Sequence, residues 1–276
     1  MKKFLVPTDF SDTSKNAARF AVQAVASVED ATIILYNVHD KIAVGSDGSL
    51  LTETEDDRVT ILNQALQNLK AELSALAPSV NIQFVAEVGS SLVENIERYV
   101  RHHGINLVIM GITGATRLEQ IFMGSNTLNL VNQGICPVLI VPPDATYRQI
   151  KNVVLASDFK TVSTSTPVAP IKAVLNIFQP ALHIVNVDDE HYVEVTDEYK
   201  AERNKLETMF KEFHPEFYFI RQFDFHEAIS QFTLDKNIDL IIIIPRKNSF
   251  ISSLFKTSYT KKLAYHSTVP IVAIHE

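Results

Sequence analysis

Leu107-Val108-Ile109-Met110-Gly111-Ile112-Thr113-Gly114 is followed nine residues later by Gly124-Ser125-Asn126, and Cys136-Pro137-Val138-Leu139-Ile140-Val141 closes the stretch. An apolar, β-branched run delivers two glycines to its carboxyl end, and a Gly-Ser pair opens the helix that follows. Backbone N–H groups at such a place can converge on an anion. The stretch reads as strand, ligand loop, helix and strand, which are the parts of an α/β fold with a nucleotide site.

Working outward, the residues before it supply more of the same units. Lys3 to Thr8 reads as a buried strand, Asp9-Phe10-Ser11-Asp12 offers capping groups, and Ala17, Phe20, Ala21, Ala24, Val25 and Val28 recur at helical spacing. Ala31 to Val38 is a second strand. Lys41 to Thr54, with Gly45 and Gly48, has little periodicity and is expected to be a mobile loop. A helix is expected over Glu55 to Leu76, a strand over Asn81 to Val88, a turn and cap at Gly89-Ser90-Ser91, and a helix over Leu92 to His103. A strand over Ile105 to Met110, a helix over Ser125 to Gln133 and a strand over Pro137 to Val141 complete the series. Alternating β and α elements with near-continuous apolar strands indicate a parallel sheet covered on both faces.

Pro142-Pro143-Asp144-Ala145-Thr146 then stops the strand and begins a linker, after which the pattern repeats. Lys151 to Phe159 parallels Lys2 to Phe10, and Asn186 to Asp189 parallels Asn37 to Asp40, at one constant offset. Ile238 to Ile243 parallels Ile105 to Met110, and Val269-Pro270-Ile271-Val272 parallels Cys136 to Leu139, at a second. The copy is shorter between its second and fourth strands, and most of the loss is expected to remove the Lys41 to Thr54 loop. Two domains result, 1–145 and 150–276.

Composition narrows the function. Of 276 residues 46% are apolar and 21% charged, ordinary for a soluble globular protein. A formal net charge of −7 with no compensating basic run argues against nucleic acid and anionic membrane as partners. Met1 to Val6 begins like a signal peptide, but Pro7-Thr8-Asp9 ends the apolar stretch too early, and Leu240 to Ile244 is too short to span a bilayer. The cytoplasm is the expected address. One cysteine, Cys136, leaves no intrachain disulfide, and its place before a core strand points to burial rather than redox chemistry. The scattered histidines suggest no dedicated metal site. His102-His103, at a helix end beside Gly104, is explained by the helix dipole or by solvent exposure.

In an open parallel sheet, ligands bind beyond the carboxyl ends of the strands where the strand order reverses. Asp9, Val38, Gly111 and Gly114 would meet there, with Gly124 and Ser125 presenting N–H groups and a hydroxyl to a phosphate. The plainer alternative is that the glycines serve tight turns and Ser125 merely caps a helix. No P-loop pattern is present and no Gly-x-Gly-x-x-Gly follows the first strand.

Gly111-x2-Gly114-x9-Gly124-Ser125, between Val108-Ile109-Met110 and Cys136-Pro137-Val138-Leu139-Ile140-Val141, resembles the ATP-binding signature of the universal stress protein family. Pro7-Thr8-Asp9-Phe10-Ser11 resembles that family's first-strand motif, and the second half resembles it in its elements. The resemblance implies two tandem Rossmann-like (HUP-type) domains, each a five-stranded parallel sheet in the order 3-2-1-4-5 with helices on both faces, and nucleotide binding rather than robust catalysis. Carried over by position, Asp9 and Val38 would contact the adenine and ribose region, Met110 and Gly111 the nucleoside, Gly114, Gly124, Ser125 and Asn126 the phosphates, and Pro7 the pocket floor. Magnesium can accompany ATP through its phosphates. In the copy Ile244 replaces Gly111, Lys247 replaces Gly114 and Thr257 replaces Gly124, while Ser258 and Asp158 are retained, so the second domain reads as degenerate.

The leading expectation is an adenine-nucleotide-binding stress or regulatory protein in which ATP orders the Ile112 to Met123 loop and changes a surface met by an unknown protein partner. Slow ATP hydrolysis or nucleotidyl transfer in the same crevice, and a non-catalytic interaction protein with a vestigial site, are the alternatives. Family resemblance further implies pairing of Val138 to Val141 with Ile271 to Ile274 inside one chain, an intrachain pseudo-dimer, with homodimers of such chains as in many relatives.

Overall fold

The computed structural model describes residues 2–40, 55–112, 125–188, 196–221, 225–245 and 269–275. The expected Lys41 to Thr54 loop lies outside them, as does all of the expected ordering loop after Ile112. In the first half the strands are β1 (Lys2–Pro7), β2 (Ala31–His39), β3 (Asn81–Val88), β4 (Leu107–Gly111) and β5 (Val138–Val141). They alternate with helices α1 (Asp12–Ala24), α2 (Glu55–Leu76), α3 (Leu92–His103) and α4 (Ser125–Gln133). The second half adds β6 (Asn152–Ala156), α5 (Val162–Ser165), α6 (Val168–Phe178), β7 (Ala181–Asp188), α7 (Asp197–Met209), β8 (Glu216–Arg221), α8 (Phe225–Asp235), β9 (Leu240–Ile243) and β10 (Ile271–Ala273).

The ten strands of the described residues form one sheet in the order β3-β2-β1-β4-β5-β10-β9-β6-β7-β8. Each half has the order 3-2-1-4-5 counted along its own chain, and within each half every pairing is parallel. Among the described residues the one antiparallel pairing joins the halves, with Ile271 opposite Ile140, Val272 opposite Leu139 and Ala273 opposite Val138. The strand pairing expected from the resemblance is present, and it removes two sheet edges that would otherwise stand open.

Strand residues alternate between the two faces, as the pleat requires. Phe4, Val6, Ile33, Leu35, Leu107 and Ile109 pack on one side with α1 and α2, and Leu5, Ile34, Tyr36, Val108 and Met110 pack on the other with α3 and α4. Ser11 caps α1 and Ser91 caps α3, each accepting a bond from an amide of the first turn. Gly104 ends α3 at φ 62°, after Arg101, His102 and His103 in the last turn, where positive charge meets the negative end of the helix dipole.

The copy differs from the original in two places. The shortening falls on a helix as well as on a connection, because α2 has 22 residues and its counterpart α7 has 13. The counterpart of α1 is broken into α5 and α6. Thr166 is extended at ψ 110°, as a residue before proline prefers, and Pro167 has no N–H to carry the helix through.

Candidate ligand crevice

The carboxyl ends of β1, β2 and β4 open toward the first turns of α1 and α4, the switch point at which such sheets take ligands. A cavity of about 420 Å³ lies there, a size ordinary for a small-molecule site. Pro7, Asp9, Val38, Met110, Gly111 and Asn126 line it, so six of the nine residues named from the sequence meet on one wall system. Ser125 supplies the first residue of α4. Gly114 and Gly124 lie outside the described residues.

The turn after β1 is built by its own short polar side chains. Phe10 sits in the left-handed region at φ 65°, which a non-glycine residue occupies only when its surroundings hold it there. The Phe10 amide donates to Thr8 Oγ1 at 3.1 Å, and the Ser11 amide donates to Asp9 Oδ1 at 3.0 Å. Ser11 Oγ also donates to Asp9 Oδ1, at 2.5 Å, and accepts from the Ser14 amide at 3.3 Å. Burial pushes the Asp9 carboxyl up, but the Ser11 hydroxyl and amide outweigh it and hold the group below its ordinary value. Asp9 therefore faces a ligand as a carboxylate at neutral pH.

On the opposite side, Leu92 closes the cavity from the first residue of α3. Glu87 Oε2 anchors that helix to the sheet, accepting from the Tyr36 hydroxyl at 2.5 Å, from Asn95 Nδ2 at 3.2 Å and from Arg98 at 2.7 Å. Three donors on one oxygen, two of them from α3, fix the height of the Leu92 wall.

Gly111 is required by space. A Cβ there would come within 2.5 Å of the Thr13 carbonyl oxygen and 2.8 Å of its carbon, backbone atoms that cannot swing away. The end of β4 therefore lies directly against the start of α1. In the copy Ile244 stands at the matching position and packs against the core.

Thr8, Ser11, Thr13, Ser14, Asn37, Leu92 and Thr127 also line the cavity and were not singled out from the sequence. Thr8 and Ser11 enter the sequence reading only as parts of the first-strand motif and its cap, and Thr13, Ser14 and Thr127 are small hydroxyl residues whose spacing carries no signal of its own. Asn37 had a usable signal, since Asn37 to Asp40 recurs as Asn186 to Asp189.

The corner around β1 is repeated bond for bond in the copy. The Thr8 amide donates to the Tyr36 carbonyl at 2.8 Å and the Ser157 amide to the Val185 carbonyl at 3.0 Å. Asp158 Oδ1 accepts from the Lys160 amide at 3.0 Å, as Asp9 does from Ser11, and Phe159 has φ 53°. Beyond that corner the halves part. Phe159 is buried against Tyr199, Phe217 and Phe219, with ring centroids 5.8, 6.1 and 5.3 Å away. Tyr199 donates its hydroxyl to Asn186 Oδ1 at 3.1 Å, whereas among the described residues Asn37 Oδ1 has no partner.

Cys136 is partly buried, and burial raises its thiol to about 12, so the group is a weak nucleophile at neutral pH. Among the described residues no helix is long and apolar enough to cross a membrane, and no group of three or more His, Cys, Asp or Glu converges.

A doubly wound parallel sheet with a polar crevice at the β1/β4 switch point defines a Rossmann-like protein of the nucleotide-binding kind. A sequence profile of the universal stress protein family matches residues 1–142, and the chain belongs to that family. Two universal stress proteins of Methanocaldococcus jannaschii are similar to it. One is 28% identical over 156 residues, covering 51% of this chain and 94% of the relative. The other is 28% identical over 143 residues, covering 51% and 81%. A universal stress protein of Archaeoglobus fulgidus has the same fold at full length, with a TM-score of 0.67 and 17% identity over 99% of this chain and 96% of that one.

Proposed function

We propose that this chain binds an adenine nucleotide, ATP in the first instance, in the crevice of its first half and serves as a regulatory stress protein of the cytoplasm rather than as an efficient enzyme. The observation that carries the reading is the convergence of Pro7, Asp9, Val38, Met110, Gly111 and Asn126 on one cavity, since those residues were named from the family's ATP-binding pattern. On this reading the chain is two tandem domains, 1–145 and 150–276, acting as an intrachain pseudo-dimer, which the antiparallel β5–β10 pairing supports. Binding in the first half alone is supported by the copy's Ile244 in place of Gly111 and by Tyr199 closing over Asn186. Asp9 is the one carboxylate among the described lining residues, and its Oδ1 is already engaged by Ser11, so magnesium would enter with the nucleotide through the phosphates.

Equilibrium dialysis of the full chain with labelled ATP tests the proposal. One saturable site per chain, lost in the double variant Gly114→Val plus Gly124→Val, is expected. Absence of saturable binding, or binding untouched by that double variant, would remove it.

A further inference from the structure

β8 is one end of the ten-stranded sheet, and among the described residues no strand pairs with its outer edge. Edge strands are ordinarily guarded by lysine, proline or a bulge, because their open N–H and C=O groups pair with any strand that meets them. β8 has no such guard. Phe217, Tyr218, Phe219 and Ile220 run uninterrupted between Glu216 and Arg221, the register with β7 is unbroken, and Phe219 is 40% exposed.

The ladder fixes which backbone groups face outward. The Ala181 amide donates to the Lys151 carbonyl and the Ser157 amide to the Val185 carbonyl, so the odd-numbered residues of β7 turn to β6 and the even-numbered ones to β8. Ile184 lies opposite Phe217 and Asn186 opposite Phe219, and in a parallel ladder each bonds to the two residues flanking its opposite. Glu216, Tyr218 and Ile220 therefore bond to β7, and Phe217, Phe219 and Arg221 present their N–H and C=O groups outward. These three can all pair with the same three of a second copy in one antiparallel register alone, the one centred on Phe219. Phe219 then faces Phe219 of the second copy, Phe217 faces Arg221 in both directions, and each pair exchanges two N–H···O bonds. On the other face Tyr218 falls opposite Ile220.

Charge agrees with this occupant. The whole chain carries a formal −7, which repels a second copy, but Glu216 and Arg221 cancel within the strand and no like charges fall directly opposite one another. Arg203, which lies over the Phe217 ring at 4.6 Å, is paired with Glu207. The chain already joins its own halves by the same device, the antiparallel pairing of β5 with β10. We infer that β8 is a dimerisation edge, at which two copies of this chain pair antiparallel about Phe219 and continue one sheet through both. The edge stands apart from the crevice, in the other half of the chain, and serves whether or not a nucleotide binds there.

Sedimentation velocity of the full chain over a dilution series tests it. A concentration-dependent shift from 30.9 kDa to twice that mass is expected. Phe219→Lys sets like charges face to face and should raise the concentration of half-dimerisation about tenfold or more. Phe219→Glu should do the same. An equimolar mixture of the Phe219→Lys and Phe219→Glu chains should dimerise again, because the register centred on this residue brings the two opposite charges together. Arg221→Pro removes an N–H that points outward, so it should weaken the dimer and leave the circular dichroism of the single chain unchanged. The outer amides of β8, quick to exchange in the dilute single chain, should slow as the concentration rises. A chain that stays at 30.9 kDa at every concentration, a dimer indifferent to all three substitutions, or a mixture that fails to re-form it would overturn the assignment. So would loss of the dimer in Val88→Lys, on β3 at the opposite end of the sheet.

Discussion

Asn37 Nδ2 donates to the Thr8 carbonyl oxygen at 2.8 Å, fastening the end of β2 to the turn that follows β1. Its counterpart Asn186 makes the same bond to the Ser157 carbonyl at 3.0 Å. The duplication therefore preserves a working corner and not only an outline of strands and helices. What the corner supports has diverged. Strand register sets His183 opposite Glu216 as Ile34 is set opposite Gln83. From α7 the Tyr199 hydroxyl donates to Asn186 Oδ1, whereas Asn37 Oδ1 has no partner among the described residues.

Tyr199→Phe is expected to lower the stability of the chain by about 1 kcal/mol, because the ring packing is kept and Asn186 Oδ1 loses its partner. Urea unfolding followed by circular dichroism measures it. A midpoint unchanged from the original chain would show that water replaces the hydroxyl without loss.

Gly111→Ala should cost about 1–3 kcal/mol, since a methyl group 2.5 Å from the Thr13 carbonyl oxygen must push β4 and α1 apart. The same movement displaces Thr13 and Met110 on the cavity wall, so ATP affinity is expected to fall together with stability. Thermal unfolding and ATP titration of one preparation give both numbers, and an alanine variant as stable and as tight as the original would refute the steric argument.

His183 supplies a pH dependence. It replaces a core isoleucine position, Ile34 in the first half, and both its ring nitrogens are buried without a hydrogen bond among the described residues. Tyr218 and Phe232 pack against the ring, Glu216 lies 3.5 Å from Nδ1, and Lys236 stands over Tyr218. Burial lowers the His183 value below 6.5, Glu216 opposes that and Lys236 reinforces it. The unfolded chain therefore binds the proton more readily than the folded one. The contribution to stability is complete above about pH 6.5 and is lost as pH falls through that value toward the lower folded one. Melting temperatures between pH 8 and pH 5 should decline for the original chain and decline less for His183→Ile. Parallel curves would exclude His183 as the source.

Much of this was legible in the residues, for identifiable reasons. Long apolar runs bounded by capping serines mark strands and helices because burial and capping act locally, and Asn81–Val88, Leu92–His103 and Ser125–Gln133 fall where periodicity sets them. Gly111 was found because a backbone need shows as a glycine, whereas Pro7, Met110 and Asn126 came from the family resemblance alone. Thr13, Ser14 and Thr127 escaped because a small hydroxyl residue is common on any surface, and only the fold brings these three, from α1 and α4, to one wall.

The join between halves permits a sharper test than any single site. β5 and β10 are four and three residues long, and as isolated edges such strands would fray. Here they lie at the centre of ten strands, with Leu139 and Val272 opposite one another and both fully buried. The amides of 138–141 and 271–273 should accordingly be among the slowest to exchange with deuterium, and those on the outer sides of β3 and β8 among the faster ones. Val272→Pro removes one ladder donor from a strand bonded on both sides, since β10 pairs with β9 as well as β5. It should cost about 3 kcal/mol or more and speed exchange in β5, on the far side of the join, as well as in β9. If exchange accelerated in β9 and α8 alone, with β5 protected as before, the two halves would be independently stable bodies, and the shared sheet would contribute nothing to holding the first crevice in shape.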